Sequence, residues 1–254
     1  MSNVFAIAGK ELRSYFASPI AYIVVGLFAL VFGYFYIVMV NFFVMQSMQS
    51  AMGGGGAMNV NRDLIHYVLQ NVAVVVLFLM PLITMRTYSE EKRTGTIELL
   101  LTSPVSDLQI IMGKFLGAMA LYGLMLAVTL IHIALLFVYG RPEWKPIASG
   151  YLGLLLMGGC FVSVGLFFSS LTKNQIVAAV LTFVVLLLLW VIDWMTNFAS
   201  SGVASLLNYL SITSHLDDFA KGIVDTRHVV YYLSFITFGL FLTSRAVDSE
   251  RWRG

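Results

Sequence analysis

An all-α integral membrane protein, built as a bundle of six transmembrane helices, is the fold class this sequence predicts, and three observations carry it. Hydrophobic residues fill 59% of the 254 positions and charged residues only 11%, less than half the share of about a quarter found in soluble domains. Apolar runs of roughly 20 residues, long enough to cross a hydrocarbon core as helices, recur along the chain. The alternating polarity that a closed barrel needs is absent. A single membrane domain over 1–254 follows, with residues 1–18, 85–108 and 196–228 as the parts that do not span.

From Val4 to Phe16, apolar Phe5, Ala8, Leu12 and Tyr15 recur at three- and four-residue spacing, with Lys10, Glu11 and Arg13 elsewhere on the wheel. This predicts an amphipathic helix in the membrane interface. A secretory signal peptide is the competing reading. The next apolar run, Ile20 to Val44, is too long for such a peptide's core and no small-x-small cleavage site follows it, so it is read as a retained first span. Met45 to Asn61 is polar and loose around MGGGGAM. A phosphate cradle would require GxxxxGK followed by Ser or Thr, which occurs nowhere, so this chain does not bind ATP in that manner.

The second span, Tyr67 to Thr84, carries Pro81 near its end, where a missing hydrogen bond kinks the helix or marks its last turn. Beyond it lies the polar stretch Met85 to Lys114: a charged turn, a flexible Thr94-Gly95-Thr96 step, an apolar turn interrupted by Glu98, and Ser103-Pro104, which reads as an N-cap with proline at the first helical position. The third span, Gln109 to Tyr139, places Gly113, Gly117, Ala120, Gly123 and Ala127 on one face, a helix-packing surface in lipid. Lys114 is read there as an anchor extending its amine back to the interface. The fourth span, Ile147 to Leu171, is glycine-rich, and a tight turn at 172–175 joins it to the fifth, Ile176 to Met195. Residues 196–228 form an outer amphipathic segment too polar to cross lipid, and a short last span, Val229 to Ser244, precedes the tail RAVDSERWRG.

With the amino terminus inside, ten of the fifteen Lys and Arg residues fall in inner segments, which predicts cytoplasmic termini and a cytoplasmic 85–114 stretch in a cell (inner) membrane protein. A net charge of +2, without a basic stripe interleaved with aromatics, gives no signal for nucleic acid. Cys160 lies in an apolar run as a small packing residue and has no second cysteine to pair with. The four histidines show no metal-ligand spacing, and no catalytic constellation emerges, so the expectation is neither a metal site nor catalytic residues. His215 with Asp217 and Asp218 is the one local cluster with a ligand reading, against the polar face of an outer helix. Asp193, between Trp190 and Trp194, reads as interfacial, with a substrate-path role as the alternative.

By pattern alone the 85–114 stretch is either a solvated loop that sets topology or a working part. The form EEKRTGTIELLLTSPVS followed by Gly113-Lys114 resembles the cytoplasmic coupling segment of type-2 ABC transporter permeases. KELRSYFASPIAY near the start and HLDDFAKGIVDTRHVVYYLSF near the end resemble the gliding-motility-type permease subunit of that class, so the likeness covers nearly the whole chain. The resemblance implies a transport subunit, an exporter, served by a separate ABC ATPase subunit that binds ATP and Mg, with no cofactor in this chain. It implies a second permease copy or paralogue around one route and an extracytoplasmic accessory subunit. It also implies that Glu90, Glu91, Lys92, Arg93, Thr94, Gly95, Thr96 and Glu98 couple the ATPase to the spans through a cytoplasmic coupling helix. A membrane scaffold for partner proteins is the alternative from another class, and an intramembrane enzyme is a third reading.

Overall fold

The computed structural model describes residues 2–54, 59–101, 104–140, 142–195 and 201–251. Among them the structure is helical: α1 (Ser2–Ala17), α2 (Pro19–Gln49), α3 (His66–Thr84), α4 (Ser89–Thr94), α5 (Ile97–Leu101), α6 (Asp107–Tyr139), α7 (Trp144–Leu171), α8 (Gln175–Met195), α9 (Ser201–Leu210), α10 (Ile212–Ala220) and α11 (Thr226–Arg251). Wider helical turns at Ser50–Gly54 and Asn61–Ile65 flank the connection between α2 and α3. By length and composition, α2, α3, α6, α7, α8 and α11 are six helices able to cross a membrane. Successive spans alternate in direction. Ser18, the 84–107 connection, the α7–α8 turn and the last turn of α11 therefore meet at one end, here the charged end.

The glycines of α7 put it at the centre. Its apolar window is 72% buried, against 17% for α2 and for α8 at the periphery. Each close contact reaches a different neighbour: Gly150 faces Leu69 of α3, Gly153 faces Phe219 of α10, Gly158 faces Tyr122 of α6 and Gly159 faces Ile236 of α11. At Gly165 an added Cβ would stand 2.0 Å from Thr84 Oγ1 and 2.4 Å from Thr84 Cβ, so α3 and α7 nearly touch there. Such approach replaces a hydrophobic driving force, which lipid does not supply between helices, with close packing.

Helix starts differ instructively from expectation. The Ser-Pro start signal operates at Ser18-Pro19, where Ser18 Oγ accepts from Ile20 N and Pro19 occupies the first turn. Ser103 lies outside the described residues, and Pro104 sits in a bend before α6. The third span instead starts at Asp107, from a reciprocal capping box in which Ser106 Oγ accepts from Gln109 N and Gln109 Oε1 accepts from Ser106 N.

Two further boundaries are corrected. α2 continues through Met45–Gln49, which was expected to be loose, while 55–58 of the glycine run lie outside the described residues. The last span is not short: α11 runs to Arg251, because Ala246 and Val247 are buried and Glu250 finds a cationic partner. The inward face of α1 is also rotated from the expected one, with Phe5 67% exposed and Glu11 buried.

Candidate functional site

The 85–107 connection forms a platform across the charged end. A six-residue helix is too short to persist alone, and α4 is held by tertiary contacts. Its first amides are capped from α7: Tyr88 N and Ser89 N donate to Ser169 Oγ at 3.0 and 3.1 Å, and Ser169 Oγ donates to Met85 O at 3.0 Å. Gly95, at φ +74°, ends the helix in the left-handed conformation that a side chain resists. Thr94 Oγ1 donates to Glu90 O at 2.9 Å and shares a 3.0 Å hydrogen bond with Thr96 Oγ1. Ile97 then pins α5 to the core, leaving Glu98 and Leu99 on the outer side.

The eight residues expected to meet a partner divide into two sets. Glu90, Glu91 and Lys92 turn toward the bundle. Glu90 takes a two-pronged hydrogen bond from Arg86, at 2.8 and 3.0 Å, and Arg86 also donates to Ser18 Oγ at the start of α2. Lys92, with only 3% of its side chain exposed, donates to Glu250 of α11 at 2.6 Å. Arg93, Thr94, Gly95, Thr96 and Glu98 are exposed on the opposite side. The platform therefore has a face fastened to three membrane helices, α2, α7 and α11, and a face open for contact.

Its keystone is Lys114, and here the expected interfacial anchor is overturned. Lys114 is 1% exposed. Its Nζ donates to Glu11 Oε1 at 2.9 Å and to Thr87 O at 2.8 Å, and it faces Glu91 Oε2 at 2.9 Å. The Tyr88 ring lies beneath it, 5.0 Å from Nζ to the centroid. Lys10 approaches Glu91 from the rim at 3.4 Å, so two lysines and two glutamates balance. The amine does not extend outward because α1 supplies a carboxylate within reach. Gly113 and Gly117 make room for that helix: a Cβ on either would collide with Ile7 or Glu11, at 2.6 and 2.7 Å.

Thus Gly113 and Gly117 of the expected small-residue face receive α1, while Ala120 and Ala127 are exposed and Gly123 has open space beside it. Tyr15 adds a second stitch, donating to Ile83 O at 3.2 Å beside Thr87 Oγ1, and burial pushes its phenol above its usual range. The charged residues inside the sequence pattern were legible. Glu11, Ser18, Ser169 and Glu250 were missed, and the one available signal was a lysine placed inside an apolar run, which calls for a buried counter-ion.

At the opposite end, Gln70, Trp190, Asp193, Thr213, Ser214 and Asp217 line a cavity of about 340 Å³. Asp193 accepts from Ser211 Oγ at 3.3 Å and is half-buried. The His215 cluster is assembled differently from expectation: Asp217 pairs with Lys221, Gln70 and His66, whereas His215 bonds His228 of α11. Among the described residues, no three His, Cys, Asp or Glu side chains are grouped to hold a metal ion.

Residues 45–214 match the model of a protein family described as ABC-2 family transporter protein. That match runs from the end of α2 into α10 and includes the whole platform. No curated protein matches the chain.

Proposed function

The chain belongs to the ABC-2 transporter family, whose members are the membrane-spanning permease components of ABC transporters, and from that premise we propose how this permease receives force. An ABC ATPase partner and a multi-pass membrane setting come with the family; the ATPase, not this chain, holds the nucleotide. The partner binds ATP and Mg and docks on the exposed Arg93–Glu98 side of the platform. Closure of its nucleotide-bound dimer presses α4 and α5, and the fastened side passes the displacement to α1, α6, α7 and α11.

One observation carries this reading: α4 presents an open polar side while its other side is tied, through Lys114, Lys92, Arg86 and Ser169, to helices from both ends of the sequence. A loop that only set topology would need none of those ties. The charged end is then cytoplasmic, in keeping with the excess of Lys and Arg there. Both termini face the cytoplasm of a cell (inner) membrane, and α1 lies along its interface. Two copies, or this chain and a paralogue, enclose one export route. The likeness of the terminal segments supports a gliding-motility-type subunit within the family, the 196–228 segment meets an accessory subunit, and Asp193 stands beside the route.

Exposed ion pairs contribute at most about 1 kcal/mol each, so the open side sets orientation and partner choice more than affinity. Arg93→Glu or Glu98→Lys is expected to leave membrane insertion unchanged, to weaken ATPase association roughly tenfold and to abolish ATP-driven transport. Co-purification and transport assays in vesicles measure both. Normal association and transport in both variants would refute the docking assignment and favour a scaffold.

A further inference from the structure

Behind the cavity at the end opposite the platform, two histidines meet ring to ring. His215 Nδ1 lies 2.6 Å from His228 Nδ1, His215 Nε2 lies 3.1 Å from Tyr209 O, and His228 Nε2 lies 2.8 Å from Asp218 Oδ2. Protons can be counted through this chain. The Tyr209 carbonyl only accepts, so His215 Nε2 carries a proton. One proton, and only one, fits between the two Nδ1 atoms. An ionised Asp218 only accepts, so His228 Nε2 carries a third.

Three ring protons on two imidazoles amount to one positive charge, whichever Nδ1 holds the central proton. With two protons, one of the three bonds has no donor. With four, two N–H groups point at each other across 2.6 Å. We propose that His215, His228 and Asp218 form a site for a single proton, whose occupancy clasps α10 to α11 and whose loss loosens α10.

The surroundings favour the singly charged state. His215 is 6% exposed, its ring tilted by 33° against that of Tyr231 with centroids 3.9 Å apart. Burial first, with the His228 charge adding to it, pushes the His215 imidazole below its usual range, so it is the neutral member and a fourth proton enters only at lower pH. His228 is the ring of the pair that faces a carboxylate, Asp218, at 2.8 Å.

Other ionisable neighbours do not interrupt the chain. Arg227 is taken by Asp225. From α11, Tyr231 and Tyr232 spend their hydroxyls on Leu210 O and Ile212 O, and Cys160 of α7 faces Tyr232 O. On the far side of α10, Lys221 and the α3 imidazole of His66 pair with Asp217, while Asp193 of α8 is bonded by Ser211.

The sign follows: the protonated form makes the extra bond, so its stabilisation is present on the acidic side and is lost as pH rises. The consequence is mechanical, because α10 carries Asp217, Ser214 and Thr213 on the cavity wall, and proton occupancy sets how firmly that wall is held. The clasp is the same wherever an ATPase docks.

Hydrogen exchange of the purified full chain in lipid nanodiscs, corrected for intrinsic rates, tests it at about pH 6 and about pH 8.5, which bracket the ordinary imidazole range. Amides of 212–220 are expected to be roughly tenfold less protected at the higher pH, the scale of one charge-assisted hydrogen bond. Asp218→Asn, which keeps an acceptor but removes the charge, moves that transition to lower pH, and His228→Gln eliminates it. A merely structural contact would instead lose protection equally at both pH values. In spectra of ring-labelled wild-type histidines, the pair takes up one proton, not two, across the interval. Equal protection at both pH values in the wild type would overturn the proposal, as would a transition that survives in His228→Gln and disappears in His66→Gln.

Discussion

Lys114→Met is expected to destabilise the protein by about 3–5 kcal/mol and to abolish transport, the largest effect of any single charge change in the chain. The amine is 1% exposed and answers two carboxylates, Glu11 and Glu91, whose side chains are 10% and 15% exposed. Methionine has similar volume, so packing changes little, but Glu11 loses its cation and Glu91 keeps only Lys10, 3.4 Å away at the exposed rim. Thermal unfolding in detergent measures the loss. Removing all three charges, as Glu11→Gln with Lys114→Met and Glu91→Gln, should restore most of the stability, since neutral replacement of a whole buried cluster is often nearly neutral. Transport should stay low in that triple variant, because the tie from α4 to α1 and α6 is gone. A triple variant that regains both would show that Lys114 serves stability alone.

Gly165→Val is the second large effect, and it acts on packing instead of charge. A Cβ there would lie 2.0 Å from Thr84 Oγ1 and 2.4 Å from Thr84 Cβ. Rotating Thr84 cannot relieve the second contact, so α3 must move away from α7. Overpacking of this kind costs about 1–3 kcal/mol or more. The same movement withdraws Met85, Tyr88 and Ser89 from Ser169, the serine that caps α4. Loss of thermal stability together with faster proteolysis in the 85–101 segment is the expected result. Thr84→Ala in the Gly165→Ala background should recover part of both, since it removes Oγ1 and Cγ2 and leaves only the Cβ contact. By contrast Gly123→Ala, with open space beside it, should be silent in both assays.

The contrast between these residues shows what the sequence could reveal. The six spans were legible because each is a long apolar run, and the charged 85–98 stretch stood out because charge is scarce elsewhere. The αL end of α4 at Gly95 was legible as a break. Pairing was not. Glu11 and Lys114 are 103 residues apart and Lys92 and Glu250 are 158 apart, and no local period encodes such partners.

The same limit explains the misreading of α1: its wheel put Glu11 on the solvent side, yet Lys114 draws it inward past Gly113 and Gly117. The last span was read as too short because Arg245 and Asp248 look like a tail, although the buried Val247 continues the helix. The division of the eight platform residues into fastened and open sets was likewise invisible, because it depends on which helices surround a six-residue element.

The central claim, that the Arg93–Glu98 side of the platform faces the cytoplasm and is covered by the ATPase, is tested most directly by thiol accessibility. Arg93→Cys in a Cys160→Ala background supplies one reactive site, since the native thiol is fully buried. A membrane-impermeant maleimide should label that cysteine in inside-out vesicles but not in intact cells, and bound ATPase should suppress the labelling. Labelling from the outside of intact cells, or equal labelling with and without the ATPase, would contradict the account.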